Sequence, residues 1–127
     1  MIIGFLGTGA ISEAIIRGLC DKASHSDRIL ISQRSPGRSA KLAHDYEQVE
    51  VANENASLVE KSDWVIVAVL PDQVEATLAK LTFRSNQKVI SLAAGIPLAR
   101  LSEWVFPCTN VSRAIPMPPI EFGMGPV

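Results

Sequence analysis

Short apolar runs alternate with segments of helical periodicity along most of this 127-residue chain. The runs predict strands at Ile2–Leu6, Arg28–Ser32, Val49–Val51, Asp63–Val69, Lys88–Leu92 and Asn110–Ile115. Helices are predicted over Ile11–Asp21, from Pro36 to Tyr46, over Asn55–Lys61, from Pro71 to Leu81 and from Pro97 to about Trp104. Strands that alternate with helices in this way are typical of βαβ units and a parallel sheet.

Two of these elements have the clearest pattern. In the first helix, apolar side chains recur at helical spacing and predict the face that packs on the core. These side chains are Ile11, Ile15, Ile16 and Leu19. The fourth strand lies in the longest apolar run of the chain, Trp64–Leu70, as expected for a strand that is covered on both faces. We therefore predict an α/β fold with a doubly wound, mostly parallel sheet and helices on both faces.

A glycine turn joins the first predicted strand to the first predicted helix. Gly7-Thr8-Gly9 matches the dinucleotide-binding fingerprint, with Ser12 at the third glycine position. Gly7 permits the tight exit from the strand, Gly9 lets a pyrophosphate approach the backbone, and Ser12 allows the helix to pack closely on the strand. The helix that begins near Ala10 would present free N–H groups to the phosphates. This context predicts a Rossmann-type domain, the alternative being a tight turn that binds no ligand.

The end of the second predicted strand indicates which nicotinamide cofactor would bind. Sites for NAD usually have an acid there that binds the ribose 2′-hydroxyl, but no acid occurs between Arg28 and Arg38. Arg34 can instead pair with a 2′-phosphate, with help from Ser32 and Ser35. The sequence therefore predicts NADP rather than NAD, unless Arg34 and Arg38 are only solvated surface charges.

Composition and spacing exclude several other classes of function. The formal net charge is −1, so there is no basic field for nucleic acid. No stretch reaches the roughly 18–20 apolar residues of a membrane span, and the amino terminus lacks the pattern of a signal peptide. Cys20 and Cys108 have neither disulfide nor metal-site spacing, which fits a cytoplasmic protein. No spacing around His25 or His44 identifies a catalytic group, so neither a catalytic residue nor a metal site is predicted.

Several further segments resemble those of pyrroline-5-carboxylate reductases, in the same order and spacing over nearly the whole chain. The matching segments are Gly4–Gly9, Glu13–Ile15, Ser35-Pro36, Asn55, Ala68–Pro71, Ser91–Ile96 and Arg113–Pro116. The Ala93-Ala94-Gly95-Ile96 segment after the fifth strand is the most distinctive of them. The resemblance implies an NADPH-dependent reduction of a small cyclic imine to proline, in which hydride passes from the nicotinamide to the imine carbon.

The resemblance also implies cofactor-binding residues by their matching positions. Thr8, Ala10 and Ile11 would line the pyrophosphate turn, Arg34 and Pro36 would lie by the adenosine phosphate, and Asn55 would lie by the adenine end. Val69, Leu70 and Pro71 would line the cofactor groove, and Ala93, Ala94 and Gly95 would lie near the nicotinamide ribose.

The chain departs from the family pattern in two residues and in its extent. Leu70 replaces a lysine that is usual in the family, and Met117 replaces an asparagine near the nicotinamide and the substrate. Family members continue into a helical domain that forms the dimer and supplies the substrate pocket. We therefore expect residues 1–116 to be the NADP-binding domain and residues 117–127 to be a Pro/Gly-rich connector toward such a domain. Homo-oligomers are expected of a full-length protein.

Two alternatives to an imine reductase of proline biosynthesis stay open at this point. Leu70 and Met117 would suit a related NADP-dependent oxidoreductase that acts on another imine, a keto acid or a hydroxy acid. The missing helical domain would suit a non-catalytic NADP-binding module. Because the cofactor carries the difficult chemistry in such enzymes, the lack of an obvious catalytic side chain does not exclude a reductase. We expect the isolated chain to turn over little or no substrate.

Overall fold

The computed structural model describes residues 1–7, 10–22, 28–32, 36–93 and 95–113 of the chain. Its strands are β1 (Ile2–Leu6), β2 (Arg28–Ile31), β3 (Val49–Val51), β4 (Trp64–Val67), β5 (Lys88–Ser91) and β6 (Asn110–Arg113). Its helices are α1 (Ala10–Lys22), α2 (Pro36–Asp45), α3 (Asn55–Lys61), α4 (Val74–Ala79) and α5 (Leu98–Trp104). Within the described residues, no helix is both long and apolar enough to cross a lipid bilayer.

The described strands form one parallel sheet in the order β3-β2-β1-β4-β5-β6. β1 lies at its centre, where Phe5 pairs with Ile31 of β2 on one side and with Ile66 of β4 on the other. The chain builds outward from β1 to β3 and then returns to the other side of β1 to form β4, β5 and β6. The predicted doubly wound parallel sheet is confirmed, and its change of direction falls between β1 and β4.

Helices cover both faces of the sheet, and each face has its own core cluster. The cluster under α1 and α2 includes Phe5, Ile16 and Leu42, and the cluster under α3, α4 and α5 includes Leu6, Leu58, Leu78 and Leu101. Phe5 and Leu6 belong to different clusters because successive side chains of a strand point to opposite faces. β4 is buried on both faces, as its continuous apolar run predicts.

The predicted core face of α1 is wrong in part. The side chains that α1 buries include Ser12, Ile16 and Cys20, which are spaced four residues apart. Ile11 and Leu19, which were expected on the core face, are exposed. The Ser12 hydroxyl donates a hydrogen bond of 2.8 Å to the carbonyl of Gly7 and holds the first turn of α1 against the end of β1. In this rotation of the helix Ser12 faces the sheet and Ile11 does not.

The helix predicted from Pro71 to Leu81 is shorter in the structure. A 3-10 turn occupies Pro71–Gln73, and the α-helical part ends at Ala79. The N–H of Gln73 bonds to the carbonyl of Leu70 at 2.8 Å, three residues back, which tightens the turn that Pro71 begins. Strand ends differ from the predictions by no more than two residues, a normal uncertainty for element ends. The last predicted residues of β6 lie outside the described residues.

α3 packs closely on β1 because Gly4 has no side chain. A Cβ atom at Gly4 would overlap the Ser62 hydroxyl and would lie 2.6 Å from Cδ2 of Leu58. The Ser62 hydroxyl itself donates to the carbonyl of Leu58 at 2.6 Å, which keeps its oxygen beside Gly4.

Gln87 holds the carboxyl end of α3 from the loop before β5. Its side chain is buried, and its Nε2 donates to the carbonyls of Val59 at 2.6 Å and Ser62 at 2.9 Å. Its Oε1 accepts the N–H of Arg84 at 2.7 Å. One buried amide thus satisfies three backbone groups and fixes the position of α3, which begins at the predicted site residue Asn55.

Replacing Gln87 by leucine should lower the free energy of unfolding by about 1–3 kcal/mol, because the N–H of Arg84 loses its acceptor and two carbonyls each lose a donor. Urea unfolding followed by circular dichroism would measure the loss. Asn86→Ala is the matched control, since Asn86 is an exposed neighbour in the same loop and should change stability by less than about 0.5 kcal/mol. Equal losses in the two variants would contradict the role given to Gln87.

Candidate dinucleotide-binding site

The carboxyl ends of β1 and β4 meet at the centre of one edge of the sheet. The helix that follows β1 packs on one face and the helix that follows β4 packs on the other, so the two connections diverge and leave a crevice. Predicted site residues follow four different strands at this edge. They are Gly7 after β1, Ser32 after β2, Val69 and Leu70 after β4, and Ala93 after β5. The fold therefore brings together residues that are far apart in sequence.

Gly7 occupies a position that requires glycine. Its φ is +92°, in the region that L side chains rarely adopt. A Cβ atom there would lie 2.8 Å from the carbonyl oxygen of Ala68 and 3.0 Å from Cγ1 of Val69. The connections after β1 and β4 are thus in contact at Gly7, which agrees with the tight exit from the strand predicted for this residue.

Three buried serine hydroxyls hold the connection after β1. Ser32 Oγ accepts the N–H of Gly7 at 3.1 Å, and Ser12 Oγ donates to the carbonyl of Gly7 at 2.8 Å. Ser39, in α2, donates to the carbonyl of Ser32 at 2.7 Å. The hydroxyl of Ser32, predicted to help bind a 2′-phosphate, is therefore engaged by the backbone of the glycine turn. The turn and the end of β2 form one hydrogen-bonded unit.

The acid in the first turn of α1 is paired with a cation. Glu13 Oε2 lies 3.0 Å from Nε of Arg17, whose Nη2 lies 3.0 Å from Oδ2 of Asp45. The hydrogen bonds that Arg17 donates, first to Glu13 and then to Asp45, raise its pKa, and the bond from Arg17 lowers the pKa of Asp45. One guanidinium thus bridges two carboxylates, one on α1 and one on α2.

Apolar side chains flank the crevice on both sides. Ile11, in the first turn of α1, is 52% exposed, and Leu70, after β4, is 63% exposed. Val69 and Ala93 are buried at the ends of their strands. Exposed apolar groups beside a polar turn are typical of a surface that binds a partly apolar ligand.

Two further residues of the predicted site follow β3 and β5. Asn55 is exposed at the start of α3, and Gly95 is exposed after β5 with a φ of +77°. The loop that contains Gly95 is held by the hydroxyl of Ser91, which accepts the N–H of Ala93 at 3.3 Å. It is held again by Arg113, whose Nη1 donates to the carbonyl of Ile96 at 3.0 Å.

Some predicted site residues lie outside the described residues. They are Thr8, Gly9, Arg34, Ser35 and Ala94. Ala10 and Pro36 are the first residues of α1 and α2, and Pro71 begins the 3-10 turn before α4. Contact of these residues with a cofactor stays a prediction, as does the connector at 117–127.

Sequence reasoning did not include Ser39 or Ala68 in the site. Ala68 lies within a segment that resembles the reductases, so the resemblance could have identified it as a site residue. Ser39 is a small polar residue on the buried side of α2, and nothing in the linear pattern pairs it with Ser32.

Among the described residues, no group of three or more His, Cys, Asp or Glu side chains could hold a metal ion.

Residues 2–95 match the protein family described as NADP oxidoreductase, coenzyme F420-dependent. The chain belongs to this family. Three features of the structure agree with a family of oxidoreductases that use a nicotinamide cofactor. They are the parallel sheet, its change of direction at β1, and the turn at Gly7, a position that requires glycine.

Curated relatives and solved structures confirm the resemblance to pyrroline-5-carboxylate reductases. That of Pseudomonas aeruginosa is 30% identical over 125 residues, covering 97% of this chain and 45% of the relative. The crystal structure of the enzyme from Streptococcus pyogenes is 33% identical, with a TM-score of 0.73 over 91% of this chain and 42% of that one. The structure from Coxiella burnetii is 25% identical, with a TM-score of 0.82 over 94% and 45%. This chain therefore spans less than half the length of these relatives.

Gly7→Ala should lower the free energy of unfolding by about 1–3 kcal/mol, because alanine is strained at this φ and its methyl group would press on Ala68. Thermal and urea unfolding would measure the loss. The control is Gly37→Ala in α2, where a Cβ atom would meet nothing within 4 Å. That variant should be unchanged or stabilised by about 0.5–1 kcal/mol. A Gly7→Ala variant as stable as the control would show that the turn accepts a side chain.

Proposed function

We propose that this chain binds NADP(H) and is the cofactor domain of a reductase that converts pyrroline-5-carboxylate to proline. The observation that carries the proposal is the turn at Gly7, whose backbone conformation only glycine adopts without strain. This turn lies where the sheet changes direction, in a chain that belongs to this oxidoreductase family. The relatives named pyrroline-5-carboxylate reductase support the substrate.

The residues at this edge fit a dinucleotide. α1 begins directly after the glycine turn, so its free N–H groups would face a pyrophosphate. The one acid of the first turn, Glu13, is held by Arg17, which also binds Asp45. Ile11 and Leu70 would pack against ribose or nicotinamide rings on either side.

NADP is favoured over NAD by the end of β2. No acid follows this strand to compete for a ribose 2′-hydroxyl, and Arg34 can pair with a 2′-phosphate. Ser39 donates a hydrogen bond to the carbonyl of Ser32 and so holds the end of β2, two residues before Arg34. The family description, which names NADP, supports the same choice.

When bound, the cofactor supplies the hydride that reduces the imine carbon. The residues of this chain would hold and orient it. Val69, Leu70 and Pro71 would line the groove after β4, and Ala93, Ala94 and Gly95 would lie near the nicotinamide ribose. The loop after β5 is held in place for this contact by two hydrogen bonds. The Ser91 hydroxyl accepts the N–H of Ala93, and Arg113 donates to the carbonyl of Ile96.

The substrate pocket would be completed outside this chain. We propose that residues 1–116 form the cofactor domain and that residues 117–127 lead toward a second, helical domain. Such a domain would account for the remaining length of the relatives. It would also supply the contacts of a homo-oligomer.

A second candidate function is reduction of a different imine, keto acid or hydroxy acid. It is favoured by Leu70, which is 63% exposed beside the crevice where the resembling reductases usually have a lysine. An apolar side chain in place of a cation there would favour a less anionic or bulkier substrate.

Isothermal titration should show that the chain binds NADPH more tightly than NADH. Arg34→Gln should weaken NADPH binding by about 10- to 100-fold, because a charge-assisted contact with the 2′-phosphate is lost, and should leave NADH binding unchanged. Arg28→Gln is the control, since Arg28 is an exposed arginine at the opposite end of β2. Tighter binding of NADH than of NADPH would refute the assignment of NADP.

Turnover should depend on the complete protein. We expect the 127-residue chain to bind cofactor weakly and to oxidise little or no NADPH with pyrroline-5-carboxylate. A full-length protein that contains it should form proline under the same conditions. Turnover of another imine, but not of pyrroline-5-carboxylate, would favour the second candidate. Robust proline formation by the isolated chain would contradict the need for a second domain.

A further inference from the structure

A serine hydroxyl ties each of the first two helices to the end of the strand before it. In α1, Ser12 Oγ donates to the carbonyl of Gly7, the first residue after β1, at 2.8 Å. In α2, Ser39 Oγ donates to the carbonyl of Ser32, the first residue after β2, at 2.7 Å. Both donor serines are buried, so each acts on the backbone and not on a ligand.

These two bonds span the connections that the proposed function assigns to phosphates. The bond from Ser12 spans the glycine turn that begins at Gly7. The bond from Ser39 joins the two sides of the connection that carries Arg34. A hydrogen bond between the two sides of a short connection lowers the number of conformations open to it. The Ser39 bond would therefore reduce the entropy that Arg34 loses when it pairs with a 2′-phosphate.

The two connections depend on Ser39 to different degrees. Ser32 Oγ accepts the N–H of Gly7 at 3.1 Å, a bond that does not involve Ser39. Without the Ser39 hydroxyl, the glycine turn would still be held by Ser12 and Ser32. The connection that carries Arg34 would lose the bond that closes it. Loss of Ser39 should therefore affect the 2′-phosphate end of a dinucleotide more than its pyrophosphate.

We infer that Ser39 is a positioning residue for NADP selectivity, because its bond across the connection between β2 and α2 holds Arg34 for pairing with a 2′-phosphate. The inference rests on the proposed function and adds to it a residue that touches no ligand. A purely structural role would lower stability alone, whereas a positioning role also lowers the preference for NADPH over NADH.

The experiment is isothermal titration of the full chain with NADPH and with NADH, and the measured quantity is the ratio of the two affinities. Ser39→Ala should lower this ratio by about three- to tenfold, the value of one buried hydrogen bond, with most of the loss in NADPH binding. Ser39→Thr, which keeps a hydroxyl at this position, should restore the ratio. Partial unfolding of a variant lowers both apparent affinities by the same factor and so leaves the ratio unchanged.

A double variant tests whether Ser39 acts through Arg34. In an Arg34→Gln background no guanidinium is left to position, so adding Ser39→Ala should change the ratio by less than about twofold. Equal losses in the two backgrounds would show that Ser39 acts on the nucleotide by another route, which would overturn the assignment.

Ser62→Ala is the matched control. Ser62 is also buried, and its hydroxyl also donates to a backbone carbonyl, that of Leu58 at 2.6 Å, but at the end of α3 on the other face of the sheet. This variant should lose stability much as Ser39→Ala does and keep the ratio of affinities. A fall in the ratio as large as that of Ser39→Ala would show that the effect of Ser39 is one of stability.

The outcomes separate this inference from the proposed function. If the unsubstituted chain prefers NADPH and Ser39→Ala keeps the full preference, Ser39 has no positioning role and the proposed function still stands. If the unsubstituted chain prefers NADH, or binds neither nucleotide, the assignment of NADP fails and this inference fails with it.

Discussion

The contact between Gly7 and the connection after β4 is the constraint on which the candidate site depends. β1 and β4 are neighbours in the sheet, but their following helices leave toward opposite faces. The two connections can touch only because Gly7 has no Cβ atom and adopts a positive φ. A side chain there would force the connections apart and change the crevice at the centre of the sheet edge.

Buried hydroxyl groups, and not apolar packing, hold this turn in place. Ser12 and Ser32 bond the carbonyl and the N–H of Gly7, and Ser39 extends the network to α2. Buried polar groups are costly unless they are hydrogen-bonded, so these bonds favour a single arrangement of the turn. The same bonds join the regions proposed for the pyrophosphate and for the 2′-phosphate, which would let one rigid frame present both.

A second polar network lies on the face of the sheet that α3 covers. Gln87 binds the carboxyl end of α3, and the missing side chain of Gly4 lets that helix pack directly on β1. Together they hold α3 against the sheet, and its first turn forms, with α4, a groove of about 500 Å³.

The sequence by itself determined the order of strands and helices, the doubly wound parallel class and the glycine turn. These follow from local patterns, namely apolar runs, helical spacing and residues that allow an unusual backbone. The same patterns did not determine which side of α1 faces the core, because several apolar stripes of that helix satisfy the same spacing. In the tertiary structure Ser12 faces the core and bonds to Gly7, while Ile11 is exposed.

Only the tertiary structure joined Ser39 to Ser32, Ala68 to Gly7, and Gln73 to Asn55 across a groove. Each pair lies on different elements, and no local pattern encodes which elements become neighbours at the sheet edge. Linear spacing predicted most residues of the turn and of the strand ends, since each follows a recognisable strand. The packing of the helices decided which partners hold those residues and formed the groove between α3 and α4. Sequence spacing alone does not orient helices relative to one another.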